Sequence, residues 1–441
     1  MTGAEAWNSL YFMAQSRRSH RHQGRGQAIH RARRMRGQAR ARAKALTKTL
    51  LDEWDEEGVL LDEPPENSFD YSPALFHRFP QCADHLPWIS LRGALSPSAP
   101  RRLSKAQHLF YDNHVFMKEE SSDFFLLPEH EARKLEFILG QDEFMDANRW
   151  VSLDDSRSEH ALSVAKAAQV LAKDADVIIR RSALDSTAVQ RMMAIENLGA
   201  VMRLRESDRG VRWTMAWLKF WSRFFKYSFV PEFSASGRGA LGYVSAMFEI
   251  DEMVAEGRIP VPDFIFVPLR SGIIHSGLEV GRRILGWNQT TIVGVPTLDQ
   301  PRAELAENVA KWANEAWEIL KPWMPSESIS KDLRPQDFHF DSSLPLDREV
   351  SPAIRSWIMR FMEVDLSELE IEGAGRALWA LSQTIEKRSL SGKSFLFWNT
   401  TCPFRKGDMG EFTGYQDLPK KVRRWIREDQ RDGRLSDIGS V

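Results

Sequence analysis

The sequence predicts an α/β fold of two domains with largely parallel sheets. Two observations carry this. Helix-like blocks such as "SEHALSVAKAAQVLAK" (Ser158–Lys173) alternate with short β-rich runs: "DVIIRR", "DFIFVPL", "TTIVGVP" and "KSFLFWN". Strand-then-helix alternation is the pattern of parallel sheets covered by crossover helices. The chain has 441 residues, 42% of them hydrophobic and 27% charged. That is enough for two or three domains with a sizeable core.

Taken in order, residues 1–51 form a basic arm. Between Ala6 and Leu51 there is no Asp or Glu, but ten Arg and two Lys. The arginines are Arg17, Arg18, Arg21, Arg25, Arg31, Arg33, Arg34, Arg36, Arg40 and Arg42. Because the whole chain has a net charge of −1, the remainder is net acidic. An acid-free, Arg-rich N-terminus suits a mitochondrial or chloroplast transit segment. It equally suits an RNA-contacting arm, since dense guanidinium groups neutralise phosphates; a solvated tail is the plain alternative. Residues 52–105 turn acidic and then Pro-rich, with prolines at 64, 65, 73, 80, 87, 97 and 100. Proline breaks regular elements, so this stretch reads as an extended segment wrapping the core. Residues 106–402 carry the α/β pattern, with a smaller subdomain at about 145–240. Residues 403–441 read as a charged tail with one helix near Pro419–Gln430.

Other signals are weaker. Trp213, Trp217, Phe220, Trp221, Phe224 and Phe225 recur at helical spacing in "RWTMAWLKFWSRFFKYSF" (Arg212–Phe229). Such a face is either core or a contact surface for another protein subunit, with a membrane or stacked bases as further occupants. The segments "EHE" (Glu129–Glu131) and "DFHFD" (Asp337–Asp341) lack the spacing of a metal-ligand set. Two cysteines, Cys82 and Cys402, argue against a disulfide framework. No apolar run approaches the roughly 18 residues of a membrane-spanning helix.

Four blocks together resemble the fold type II pyridoxal-phosphate enzymes, in the branch of D-cysteine desulfhydrase and 1-aminocyclopropane-1-carboxylate deaminase. "EHEARKLEFIL" (Glu129–Leu139) is similar to the family's Gly-Asn-Lys-x-Arg-Lys-Leu-Glu-[Tyr/Phe]-Leu, and "SRSEHALSVAKAA" to its Gln-Ser-Asn-His helix start. "GALGYVSAMFEI" (Gly239–Ile250) matches its Gly-x-Leu-Gly-[Tyr/Phe] helix. "RSGIIHSGLEVG" (Arg270–Gly281) resembles its Gly-Ser-x-Gly-Thr loop and helix, and "LEIEGAGRALWAL" is a weaker fifth match. The resemblance spans about Leu109 to Cys402 and implies a tryptophan-synthase-β-like architecture.

It also implies where the chemistry should sit. The position of the lysine that forms the Schiff base falls on Glu131, a carboxylate that cannot condense with an aldehyde. Lys134 matches a second lysine, almost one helical turn on. The phosphate loop becomes Arg270-Ser271-Gly272-Ile273-Ile274, the family's proton-handling tyrosine falls on Gly373, and a late His-Thr-Gly-Gly becomes Asn399-Thr400-Thr401-Cys402. Ser158 and His160 survive from the substrate-side motif, although such residues at a helix start usually act as caps. The expectation is therefore a pseudoenzyme with no bound pyridoxal phosphate. Its vestigial pocket contains Glu131, Lys134, Ser158, His160, Arg270 and Gly272, and Glu131 and Arg270 fill it as an ion pair. The basic arm extends this to a structural subunit of a large assembly, best a mitochondrial ribosome or its assembly machinery, located in the matrix. One alternative is an active deaminase or desulfhydrase on a small amino acid that uses Lys134. Another is a protein-only accessory subunit of a respiratory complex.

Overall fold

The computed structural model describes residues 72–92, 98–120, 127–156, 159–182, 184–297, 301–324, 332–341, 350–365, 369–401 and 418–432. The basic arm and most of the charged tail lie outside the described residues, as do Ser158 and Cys402.

Ten strands and twelve helices make up the described chain. The strands are β1 (Arg101–Arg102), β2 (His114–Glu119), β3 (Arg149–Asp155), β4 (Asp174–Arg180), β5 (Val201–Arg205), β6 (Tyr227–Phe229), β7 (Phe264–Leu269), β8 (Thr291–Pro296), β9 (His339–Phe340) and β10 (Ser394–Asn399). The helices are α1 (Ala74–Arg78), α2 (Glu129–Leu139), α3 (Asp142–Met145), α4 (His160–Val170), α5 (Ser186–Asn197), α6 (Asp208–Trp221), α7 (Gly237–Ala255), α8 (Ile273–Ile284), α9 (Arg302–Leu320), α10 (Pro352–Asp365), α11 (Arg376–Arg388) and α12 (Lys420–Arg431). None is long and apolar enough to cross a membrane.

The strands form two sheets, ordered β1-β2-β10-β7-β8-β9 and β5-β4-β3-β6. Apart from the short β1–β2 pair, every pairing is parallel. Parallel neighbours require a crossover, and α4, α5 and α6 supply one after each of β3, β4 and β5. In the larger sheet β10 is central: Phe397 lies opposite Met117 of β2 and Phe266 of β7. All six of its residues are buried, which is why "SFLFWN" reads as an unbroken apolar run and not as an alternation.

Helix α7 is the hub of the larger domain. It packs against α2 so closely that a Cβ at Gly242 would lie 2.1 Å from the Arg133 carbonyl oxygen. Only glycine permits that approach. The interface also holds a fully buried ion cluster. Arg133 meets Glu120 at 2.7 Å and Glu249 through both terminal nitrogens at 2.5 and 2.7 Å, and it also bonds Glu129. Arg92, from the Pro-rich stretch, reaches Glu136 at 3.0 Å, and Lys118 of β2 reaches Glu129 at 3.1 Å. Four carboxylates thus share three cations. Burial alone would raise the Glu129 carboxyl, but Lys118, Arg133 and Arg92 outweigh it and hold it at about 2, against an ordinary 4.5.

A depressed carboxylate stabilises the fold above its unfolded pKa, and that stability disappears as pH falls through the folded value. The Glu129 contribution is therefore complete above about pH 4.5 and drains away towards pH 2. Urea midpoints measured across that window should decline steeply. In Glu129→Gln, which starts lower, they should decline less. Parallel declines in the two proteins would show that Glu129 does not carry the acid sensitivity.

Candidate functional site

The site lies where the two sheets meet, at the carboxyl ends of β3 and β7 and the first turns of α2, α4 and α8. Ligands of open α/β folds bind at such strand ends, where helix N-termini converge. Pro128 precedes α2 and pre-sets the entry of its first turn. Every residue of α2 is buried, its charged ones included.

Glu131 and Lys134 are three apart on α2 and so share a face. The Lys134 amine donates to Glu131 Oε1 at 2.5 Å. The other carboxylate oxygen lies 3.1 Å from His160 Nδ1, and His160 Nε2 lies 3.1 Å from the Pro231 carbonyl oxygen. A carboxylate and a carbonyl only accept, so the ring serves both contacts as a donor only when it carries both protons. Burial would raise the Glu131 carboxyl, but Lys134, His160 and His130 hold it well below the usual range. His130 reaches Glu159 at 3.2 Å, and Glu159 in turn pairs with Arg191.

Arg270 follows β7. It donates to Asp155, the last residue of β3, at 2.9 Å and stacks over Phe233 at 4.7 Å. Phe233 adjoins Ser234, which sits beside His160. The Glu370 carboxyl, on an exposed residue beside this cluster, is raised by partial desolvation and by Glu159, against the pull of Arg270 and Arg191. Gly272 caps the start of α8 with φ +87°, and a Cβ there would come 2.8 Å from Val309 Cγ2. Its left-handed conformation turns the chain sharply into the helix, with the N–H groups of the first turn at its start.

The structure thus brings Glu131, Lys134 and His160 into direct contact and links them through Phe233 to Arg270 and Gly272. Glu131 and Arg270 do not pair: Lys134 and His160 take the carboxylate, and Asp155 takes the guanidinium. Nor does His160 act as a cap. The free N–H of Ala161 goes to Asp154 at 2.9 Å, which leaves the imidazole to the cluster. Sequence reasoning missed Asp155, Glu159, Arg191 and Glu370. Two of them carried a usable signal, since Asp155 ends a strand and Glu159 immediately precedes a helix.

The donor set can be tested against pyridoxal phosphate, the cofactor that the sequence resemblance implies. The group needs a nucleophilic amine and a phosphate cradle. A buried amine is present at Lys134, and a glycine-led helix N-terminus with Arg270 beside it is present at α8. In addition, Arg270 Nε is buried and lacks an acceptor among the described residues. These groups fit the cofactor, with the amine three residues beyond the position at which the resemblance places it.

No protein-family model matches this chain, and no curated protein does. Solved structures do. A homologue of 1-aminocyclopropane-1-carboxylate deaminase aligns over 75% of this chain and 95% of its own, with 20% identity and a TM-score of 0.60. Diaminopropionate ammonia lyase from Escherichia coli, in complex with D-serine, aligns over 84% and 94%, with 17% identity and a TM-score of 0.50.

These neighbours are a homologue of a deaminase and an ammonia lyase, which corrects the expectation of a non-catalytic subunit of a mitochondrial ribosome. Nothing in them points to a respiratory subunit either. The expectation of no cofactor is corrected with it, because the neighbours are pyridoxal-phosphate enzymes. The physical reason is the same in both cases. The composition of an arm reports an electrostatic preference and not the work of the folded domain. Changes at single motif positions, likewise, left an amine and a helix N-terminus in place. The folded core of this chain has the α/β architecture of the fold type II pyridoxal-phosphate enzymes.

Proposed function

We propose that this chain is a pyridoxal-phosphate-type deaminase or lyase acting on a small amino acid, with Lys134 as the amine that holds the cofactor. The observation that carries this is the buried Lys134 amine, bonded to Glu131 at the strand ends where the two sheets meet. Bound there, pyridoxal phosphate would supply an aldehyde to capture an amino group and a ring that draws electrons from it. The chain's own groups do the rest. Glu131 Oε1 orients the Lys134 amine, and His160 fixes the other carboxylate oxygen so that the carboxylate cannot turn away. With its pKa depressed, Glu131 serves as a counter-ion and a poor proton carrier. Glu370, whose carboxyl is raised above its ordinary value, holds a proton more readily than Glu131 does. The first-turn N–H groups of α8, with Arg270 alongside, suit a phosphate.

One observation favours a second reading, a catalytically silent protein on this scaffold: Glu131 stands where the resemblance places the reactive lysine. One experiment separates the two. The full chain is incubated with pyridoxal phosphate, reduced with borohydride and peptide-mapped, and ammonia release is followed with small amino acids such as D-serine and 2,3-diaminopropionate. Label at Lys134 with ammonia release is the expected result. Label only on other lysines, with no ammonia released, would overturn the proposal in favour of the silent scaffold.

A further inference from the structure

Helix α6 has three faces, where a surface helix ordinarily has two. At about 100° per residue, Val211, Thr214 and Leu218 form one stripe, buried with Val151 and Ile178 against the smaller sheet. The second stripe points outward and is aromatic. Trp213 is 69% exposed and Phe220 50%, and the line continues past the helix end in Phe224 at 68%. The third stripe is basic: Arg209, Arg212 and Lys219 on the helix, with Arg223 and Lys226 just beyond it. All five are exposed, and none pairs with a carboxylate among the described residues. The aromatic stripe is not a misplaced core, because the helix already has a separate inward face. This corrects the reading of these rings as core.

We propose that this face of α6 docks onto an anionic lipid surface. Its occupant must offer hydrocarbon to the rings and negative charge to five uncompensated cations a quarter-turn away. The headgroup boundary of an anionic bilayer offers both at that spacing, and a helix with aromatic and basic stripes lies in that boundary. A second copy of the chain is a poorer match, since it would bring the same five cations with it. Single-stranded RNA would satisfy the cations but needs open ring faces for its bases. Here Trp221 packs at steep angles against Trp217, Phe220 and Phe224, with centroids 5.8–6.1 Å apart, so these rings meet edge to face and do not stand as a row of parallel stacking platforms. Arg203, itself bonded to Asp176 at 2.7 Å, covers the Trp217 ring and holds the ridge in place. This inference does not depend on the activity proposed above.

The test uses the full chain and vesicles of phosphatidylcholine, with and without phosphatidylserine, read by co-sedimentation and tryptophan emission. Trp213→Ser combined with Phe224→Ser removes two rings that are two-thirds exposed, so the fold should persist, as a thermal melt would verify. The expected result is binding to phosphatidylserine vesicles with a blue shift in emission. The double variant should lose more than about tenfold in affinity. Arg212→Glu combined with Arg223→Glu should lose a similar factor and much of the salt dependence. Binding that the double variants leave unchanged would assign it to the basic N-terminal segment and overturn the proposal. So would an absence of vesicle binding, or a preference for single-stranded RNA that the serine substitutions abolish.

Discussion

Arg133→Met should cost about 3–5 kcal/mol of stability, the usual result of removing one partner from a buried ion pair. The magnitude follows from what remains. Arg133 is completely buried, bonds Glu129 and Glu249, and forms an ion pair with Glu120 at 2.7 Å. Without it, four buried carboxylates face only Arg92 and Lys118. Methionine fills most of the volume, so the loss reports charge and not a cavity. The measurement is a urea denaturation midpoint, with the double variant Arg133→Met, Glu249→Leu alongside. Removing Glu249 as well, which would otherwise keep only the longer contact to Arg92 at 3.5 Å, should restore part of the stability, because an apolar replacement of a buried pair is often close to neutral. A single variant within about 1 kcal/mol of the parent would mean that the cluster is hydrated or already neutral.

This cluster also shows what a sequence hides. The strands β7, β8 and β10 are legible because each is a short apolar run flanked by turn signals, and α7 is legible from "GALGYVSAMFEI". Helix α2 is not. "EHEARKLEFIL" looks like a solvated, charged helix by any residue-by-residue rule, yet every position is buried. Its charges are compensated by groups distant in the chain: Arg92 is 44 residues from Glu136, and Glu249 is 116 from Arg133. Periodicity cannot report such partners.

Helix α6 misleads in a different way. Its aromatics have the spacing of a core stripe, but the stripe that packs is Val211, Thr214 and Leu218, whose smaller side chains lie closer to the sheet. The candidate site was legible at the level of motif positions, which named Glu131, Lys134, His160, Arg270 and Gly272. The further partners were harder to read, because Asp155, Arg191 and Glu370 come from elements that only the fold brings to the site.

Lys134 is where structural and chemical roles can be separated. Its amine donates to Glu131 and offsets the carboxylate, so any substitution that removes the charge also disturbs the cluster. Lys134→Arg keeps a cation within reach of Glu131, and its stability should stay within about 1 kcal/mol of the parent. A guanidinium remains protonated and does not add to an aldehyde, so borohydride labelling and ammonia release should both vanish. Lys134→Met should lose the chemistry and also stability, by about 1–3 kcal/mol, since Glu131 then keeps only its contacts with His160 and His130. The contrast between the two variants is the decisive measurement. If Lys134→Arg released ammonia at the parent rate, Lys134 would be a counter-ion to Glu131 and nothing more. Glu131→Lys tests the same geometry from the other side. It returns an amine to the position at which the family resemblance places one, at the cost of setting a cation beside Lys134, His160 and His130. A lower melting temperature is therefore expected, with label appearing at position 131. Should that variant release ammonia where the parent does not, the parent is the silent scaffold and the single carboxylate at Glu131 is what silences it.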